Sequence, residues 1–134
     1  MKSGICWAVL LVFAGPVGAA TNLWDGDTSG DWGTAANWVG DTPFADGDDV
    51  EFYALPGTNL TTTLGANRII NMLLFNSNAT SGVTISGNTL TLLGGISLDP
   101  ASASHAIGST LVISNDQTWN LNSGQVLTVG VVND

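Results

Sequence analysis

Bases and metal-binding or nucleophilic side chains are nearly missing from this chain of 134 residues, which has two Lys and Arg together, one Cys and one His. A single Cys forms no disulfide framework and no thiolate metal centre, and a single His supplies no multi-histidine site. Eleven acids against those two bases leave a formal net charge of -9 at pH 7 and a pI near 4.1. Such a surface repels phosphate backbones and anionic membranes, which argues against nucleic acid as a partner. The length leaves room for one domain.

The first twenty residues differ in kind from the rest. Lys2 gives a positive start, Ile5 to Ala14 form an almost unbroken apolar run, and Pro16 precedes the small residues Gly18, Ala19 and Ala20. That order describes a secretory signal, and the run is shorter than the roughly 20 apolar residues a bilayer span needs. Cleavage is expected after Ala19 or Ala20, and it removes Cys6. The mature chain then holds eleven acids and one base, Arg68, for a charge of -10, and no membrane-spanning segment is expected in it.

Gly, Ser, Thr, Asn and Asp make up more than half of residues 21–134, a composition poor in helix formers and rich in turn formers. Thr21 to Asp49 is dense in Trp, Asp and Gly without a sustained period and reads as a looped segment pinned by aromatic rings. From Val50 onward the chain changes to strand-length runs: Val50–Tyr53, Leu60–Leu64, Ile69–Phe75, Val83–Ile85, Thr89–Leu93, Ile96–Leu98, Thr110–Ile113, Thr118–Leu121 and Val126–Val129. Gly, Asn, Ser, Asp or Pro bound each of them. Alternation is visible in Thr89-Leu90-Thr91-Leu92 and in Thr118-Trp119-Asn120-Leu121, which places Trp119 in the core. The class is all-β. A weak repeat aligns Val83–Leu92 with Leu111–Leu121 and, in part, with Ser123–Val129, each copy being strand, small polar corner and strand. Spacing between the copies is irregular, so a β-solenoid and a β-sandwich both fit.

Three stretches acting together carry a family resemblance. They are Thr21-Asn-Leu-Trp-Asp-Gly-Asp27 with Asp31-Trp-Gly-Thr-Ala-Ala-Asn-Trp38, then Asp46-Gly-Asp-Asp-Val-Glu-Phe52, then Ile85-Ser-Gly-Asn-Thr-Leu-Thr-Leu-Leu-Gly-Gly-Ile96. In combination they resemble the start of secreted bacterial proteins with autotransporter-associated β-strand repeats. The resemblance covers most of the mature chain. It implies a right-handed parallel β-helix at or beyond the cell surface, with adhesion or scaffolding as its role. The long glycine-rich arrays of that family are absent here, and no membrane barrel or sorting tail follows Asp134, so the chain is expected to be the amino-terminal portion of something longer.

Few residues offer chemistry. Asp25-Gly-Asp27-Thr-Ser29-Gly30-Asp31 matches the opening positions of a calcium-binding EF-hand loop, but its twelfth position is Ala36 instead of a bidentate carboxylate. The expectation is an acidic turn held by its own Asx hydrogen bonds, and Asp46-Gly-Asp48-Asp49 is read the same way. A lyase or glycosidase would draw on the acids between Asp25 and Glu51, yet the one mature base, Arg68, stands beside Ile69 and Ile70 and suits an ion pair at a strand end or a cover over the core. His105, in Ser102-Ala-Ser-His-Ala106, reads as an exposed loop residue, since neighbours in one loop do not make a triad. Trp24, Trp32 and Trp38 suit two roles: a cap over the end of the β-structure, or a platform stacking sugar rings. The cap is preferred.

The expected organisation is therefore a signal peptide over 1–20, a Trp/Asp/Gly-rich capping segment over 21–49 and an incomplete β-strand repeat region over 50–134. The expected protein is an exported, extracellular or cell-surface structural or adhesive protein with no catalytic, metal or cofactor residues. Its partners would be extracellular polysaccharide or cell-surface components. A carbohydrate-binding module using Trp24, Trp32 and Trp38 is the alternative.

Overall fold

The computed structural model describes residues 18–53 and 58–134; the expected signal segment lies outside them except for its last three residues. Eleven strands follow one another: β1 (Thr21–Trp24), β2 (Asp49–Phe52), β3 (Thr61–Thr63), β4 (Arg68–Phe75), β5 (Thr84–Ser86), β6 (Thr89–Leu98), β7 (His105–Ile107), β8 (Thr110–Ile113), β9 (Thr118–Leu121), β10 (Leu127–Val129) and β11 (Val132–Asn133). The one helical element among the described residues is a 3-10 turn at Ala35–Asn37.

Every strand pairing is parallel. A sandwich would be built from antiparallel hairpins, so the register settles the question left open by the sequence, in favour of a parallel β-solenoid. Thr61 pairs with Thr84, Thr84 with Ala106, and Ala106 with Thr128, which sets 22 or 23 residues per turn over three turns in this sheet. One sheet runs β3-β5-β7-β10; the other runs β1-β2-β4-β6-β8-β11, with β9 also on β6.

Two strands are long because each serves two stretches of sheet. The first half of β6 pairs with β8 and its second half with β9. Between the halves the register with β4 shifts, from Ile70↔Leu92 to Met72↔Gly95. Gly95 sits there at φ +132°, and a Cβ would run into the Thr118 carbonyl oxygen, so the position demands glycine. The sequence reading of two separate runs, Thr89–Leu93 and Ile96–Leu98, is thus one strand with a bulge.

Stacking places like residues above like. Phe52, Phe75, Leu98 and Leu121 form one column, Val50, Leu73, Ile96 and Trp119 another, and Thr62, Ile85, Ile107 and Val129 a third. Within each column the inner members are buried while Leu121 is 43% exposed. The working repeat differs from the one read in the sequence. Leu90 stacks on Leu111, so Ile85-Ser-Gly-Asn-Thr-Leu-Thr-Leu92 overlies Ile107-Gly-Ser-Thr-Leu-Val-Ile113, whereas the sequence alignment matched Val83 to Leu111. The corners differ in length by one residue, and that difference hid the phase.

Candidate functional site

The capping segment is where the unusual side chains gather. β1 runs parallel to β2, with Trp24 beside Phe52, although residues 21–49 had read as loop throughout. Trp24, Trp32 and Trp38 are each 1% exposed or less. Trp38 meets Trp24 edge-on at 5.0 Å and Trp32 edge-on at 5.6 Å, and Phe44 closes the cluster at 5.0 Å from Trp38. Trp24 and Trp32 rest on Phe52 at 5.9 and 6.0 Å. Edge-to-face pairs of this kind add attraction beyond the area they bury.

Burial of an indole demands a partner for its N–H, and all three have one. Trp24 Nε1 donates to the Asn59 carbonyl, Trp32 Nε1 to Thr62 Oγ1, and Trp38 Nε1 to the Trp32 carbonyl. The first two bonds tie the cap to the first full turn, and the third lies within the cap. No ring face is left open to stack on a sugar, so the platform alternative loses Trp24, Trp32 and Trp38 as its surface.

Asn37, which the sequence reading passed over, organises the loop between the tryptophans. It is wholly buried; its Oδ1 accepts from the Thr28 and Ser29 amides, and its Nδ2 donates to Ser29 Oγ and the Asp31 carbonyl. The clue lay in the Ala-Asn-Trp38 string, where a lone amide stands among small and aromatic residues.

The acids act as acceptors for backbone groups. Asp31 Oδ1 accepts from Gly33 N, closing an Asx turn. Asp46 accepts from Ile69 N, and Asp49 Oδ1 accepts from Asn71 Nδ2 and from Met72 N at the bulge. Asp48 binds Ala20 N through one oxygen and Asn22 Nδ2 and Ala45 N through the other. Partial burial raises the Asp48 pKa, but bonds from Asn22, Ala45 and Ala20 outweigh it and hold the carboxyl below 3.8. Glu51 accepts from Asn76. Asp25 keeps a buried Oδ1 that has no partner among the described residues. Those residues hold no group of three or more His, Cys, Asp or Glu that would suit a metal ion.

Two side chains, His105 and Trp119, sit where the sequence did not put them, while Arg68 takes the covering position the sequence offered. His105 is buried in β7 at 3% exposure, because the segment read as a loop contributes a strand whose alternate residues point inward. Its ring stacks on Phe75 at 3.9 Å, and its pKa falls from 6.5 to about 4 through loss of hydration. Arg68 lies over the Phe44 ring at 5.3 Å and donates Nε–H to the Leu64 carbonyl, so it covers the aromatic cluster. Trp119 is only half-buried: it continues the Val50-Leu73-Ile96 column, but no further strand covers it among the described residues. Its N–H donates to Gln117. Around it lies an open recess of about 560 Å³ lined by Ile113, Asn115, Asp116, Gln117 and Asp134.

No helix among the described residues is long and apolar enough to cross a membrane. In comparisons with known proteins, no family model, no curated protein and no solved structure matches the chain.

Proposed function

We propose that the chain is an exported, amino-terminally capped β-solenoid with a structural or adhesive role at the cell surface and no catalytic activity, related to proteins with autotransporter-associated β-strand repeats. The observation that carries this reading is the use made of its distinctive residues. Trp24, Trp32 and Trp38 serve as core, with every indole N–H bonded within the chain. The acids that a lyase or glycosidase would employ instead hold backbone amides: Asp48 binds Ala20 N, Asp46 binds Ile69 N and Asp49 binds Met72 N at the β4 bulge. The motif that looks most like a site is thus spent on closing the end of a stack, which is what a solenoid with an exposed terminal core requires.

Export is tested by expressing the chain in a bacterial host and sequencing the amino terminus of the secreted material. The expected start is Ala20 or Thr21, and recovery of intact Met1 from the cytosol overturns the reading. The structural role is tested by polysaccharide pull-down combined with melting. Trp24→Ala, Trp32→Ala and Trp38→Ala should each lower the melting temperature; unchanged melting with lost retention would favour a carbohydrate-binding module.

A further inference from the structure

We propose that His105 is an acid-sensitive pin for the later turns of the solenoid: protonating it loosens β7 from Phe75 and opens the turns around it, while the tryptophan cap stays folded.

The hydrogen bonding specifies the tautomer. Nδ1 accepts from Val83 N–H at 3.1 Å, so the ring proton of the neutral form is on Nε2, which is buried and has no partner among the described residues. A second proton has one place to go, Nδ1. There it faces the Val83 N–H, so an accepted bond becomes a clash of two donors, and a charge appears in a buried position without a counter-charge.

The ring is also the last member of a stack. Phe52 lies on Phe75 at 5.4 Å and 13°, Phe75 lies on His105 at 3.9 Å and 13°, and Phe52 touches two of the cap tryptophans. An imidazolium over Phe75 would gain a cation–π attraction. Against it stands the dehydration of a charge at a position only 3% exposed, which lowers the pKa of His105 to about 4.

Nothing ionisable among the described residues offsets that charge. The strands packed against His105 are β5 and β10, which carry no ionisable side chains, and β4, whose one such group is Arg68 at the end away from Phe75. Asp99, whose amide bonds to the Phe75 carbonyl, is exposed.

The sign follows from linkage. The folded pKa, about 4, lies below the unfolded value of 6.5, so the unfolded chain binds the proton more readily. The full contribution is present above pH 6.5 and is lost as pH falls from 6.5 towards 4. Over that window the folding equilibrium changes by on the order of a hundred-fold. Asp48, held below 3.8, loses its own contribution only at still lower pH. The effect is local because β7 pairs with β5 and β10, whereas the cap is tied to β2 and β3.

Amide hydrogen exchange followed by NMR from pH 7 to 4.5, corrected for intrinsic rates, tests the pin. Protection at Ala106 and Gly108, whose amides bond to Val83 and Ile85 carbonyls, is expected to fall by about tenfold or more. Protection at Trp32 and Thr63 is expected to hold. His105→Gln and His105→Phe should both flatten the acid dependence at Ala106 and Gly108. The proposal is overturned if either variant keeps the wild-type acid dependence, or if cap and later turns open together. Should both variants fail to fold, the wild-type imidazole resonances still decide: titration near 6.5 in the folded protein overturns the pin, and titration near 4 supports it.

Discussion

Trp38 shows how much of this protein rests on single side chains. It touches Trp24, Trp32 and Phe44, and its N–H is satisfied only by the Trp32 carbonyl. Trp38→Ala removes one of the largest buried side chains and leaves that carbonyl without its partner. The expected cost is roughly 3 to 5 kcal/mol, a large part of the stability of a domain this size. Chemical denaturation followed by tryptophan fluorescence reads it as a shift in midpoint. An unchanged midpoint would mean that the cap does not hold the first turn.

Among the elements, β6 is the most constrained, since its ten residues pair with β4, β8 and β9. Its turning point is Gly95, and Gly95→Ala forces a side chain into φ +132° and against the Thr118 carbonyl. The substitution is expected to destabilise the domain by about 1 kcal/mol or more. It should also loosen β9, read as faster exchange of the β9 amides than of the β8 amides; equal acceleration in both would argue against a hinge at this bulge. Two strands, Thr110–Ile113 and Thr118–Leu121, were legible in the sequence to the residue. β1 and β7 were not, since Thr21–Trp24 opens the Trp/Asp/Gly-rich segment that has no period and His105–Ile107 follows the small residues Ser102-Ala-Ser104, which read as a loop.

At the scale of the whole molecule, charge is the least balanced feature. With Arg68 as the one base after residue 20, the acids repel one another across a narrow stack. Screening should therefore help the fold: the melting temperature is expected to rise between about 0.01 and 0.15 M sodium chloride, where the Debye length shrinks from roughly 30 to 8 Å. A fall would mean that ion pairs outweigh the repulsion. The sequence by itself determined the all-β class and the strand-and-corner rhythm after Val50, and for the tryptophans it favoured a cap over a sugar platform without deciding between them. Alternation and turn residues are local signals, and large rings in a polar segment have little else to bury them. Only the tertiary structure decided parallel against antiparallel pairing, the 22- or 23-residue phase, the burial of His105 and the half-exposure of Trp119. Each of those depends on which residue lies one turn away: Phe75 stacks on His105 from thirty positions earlier, and no window along the chain contains that contact.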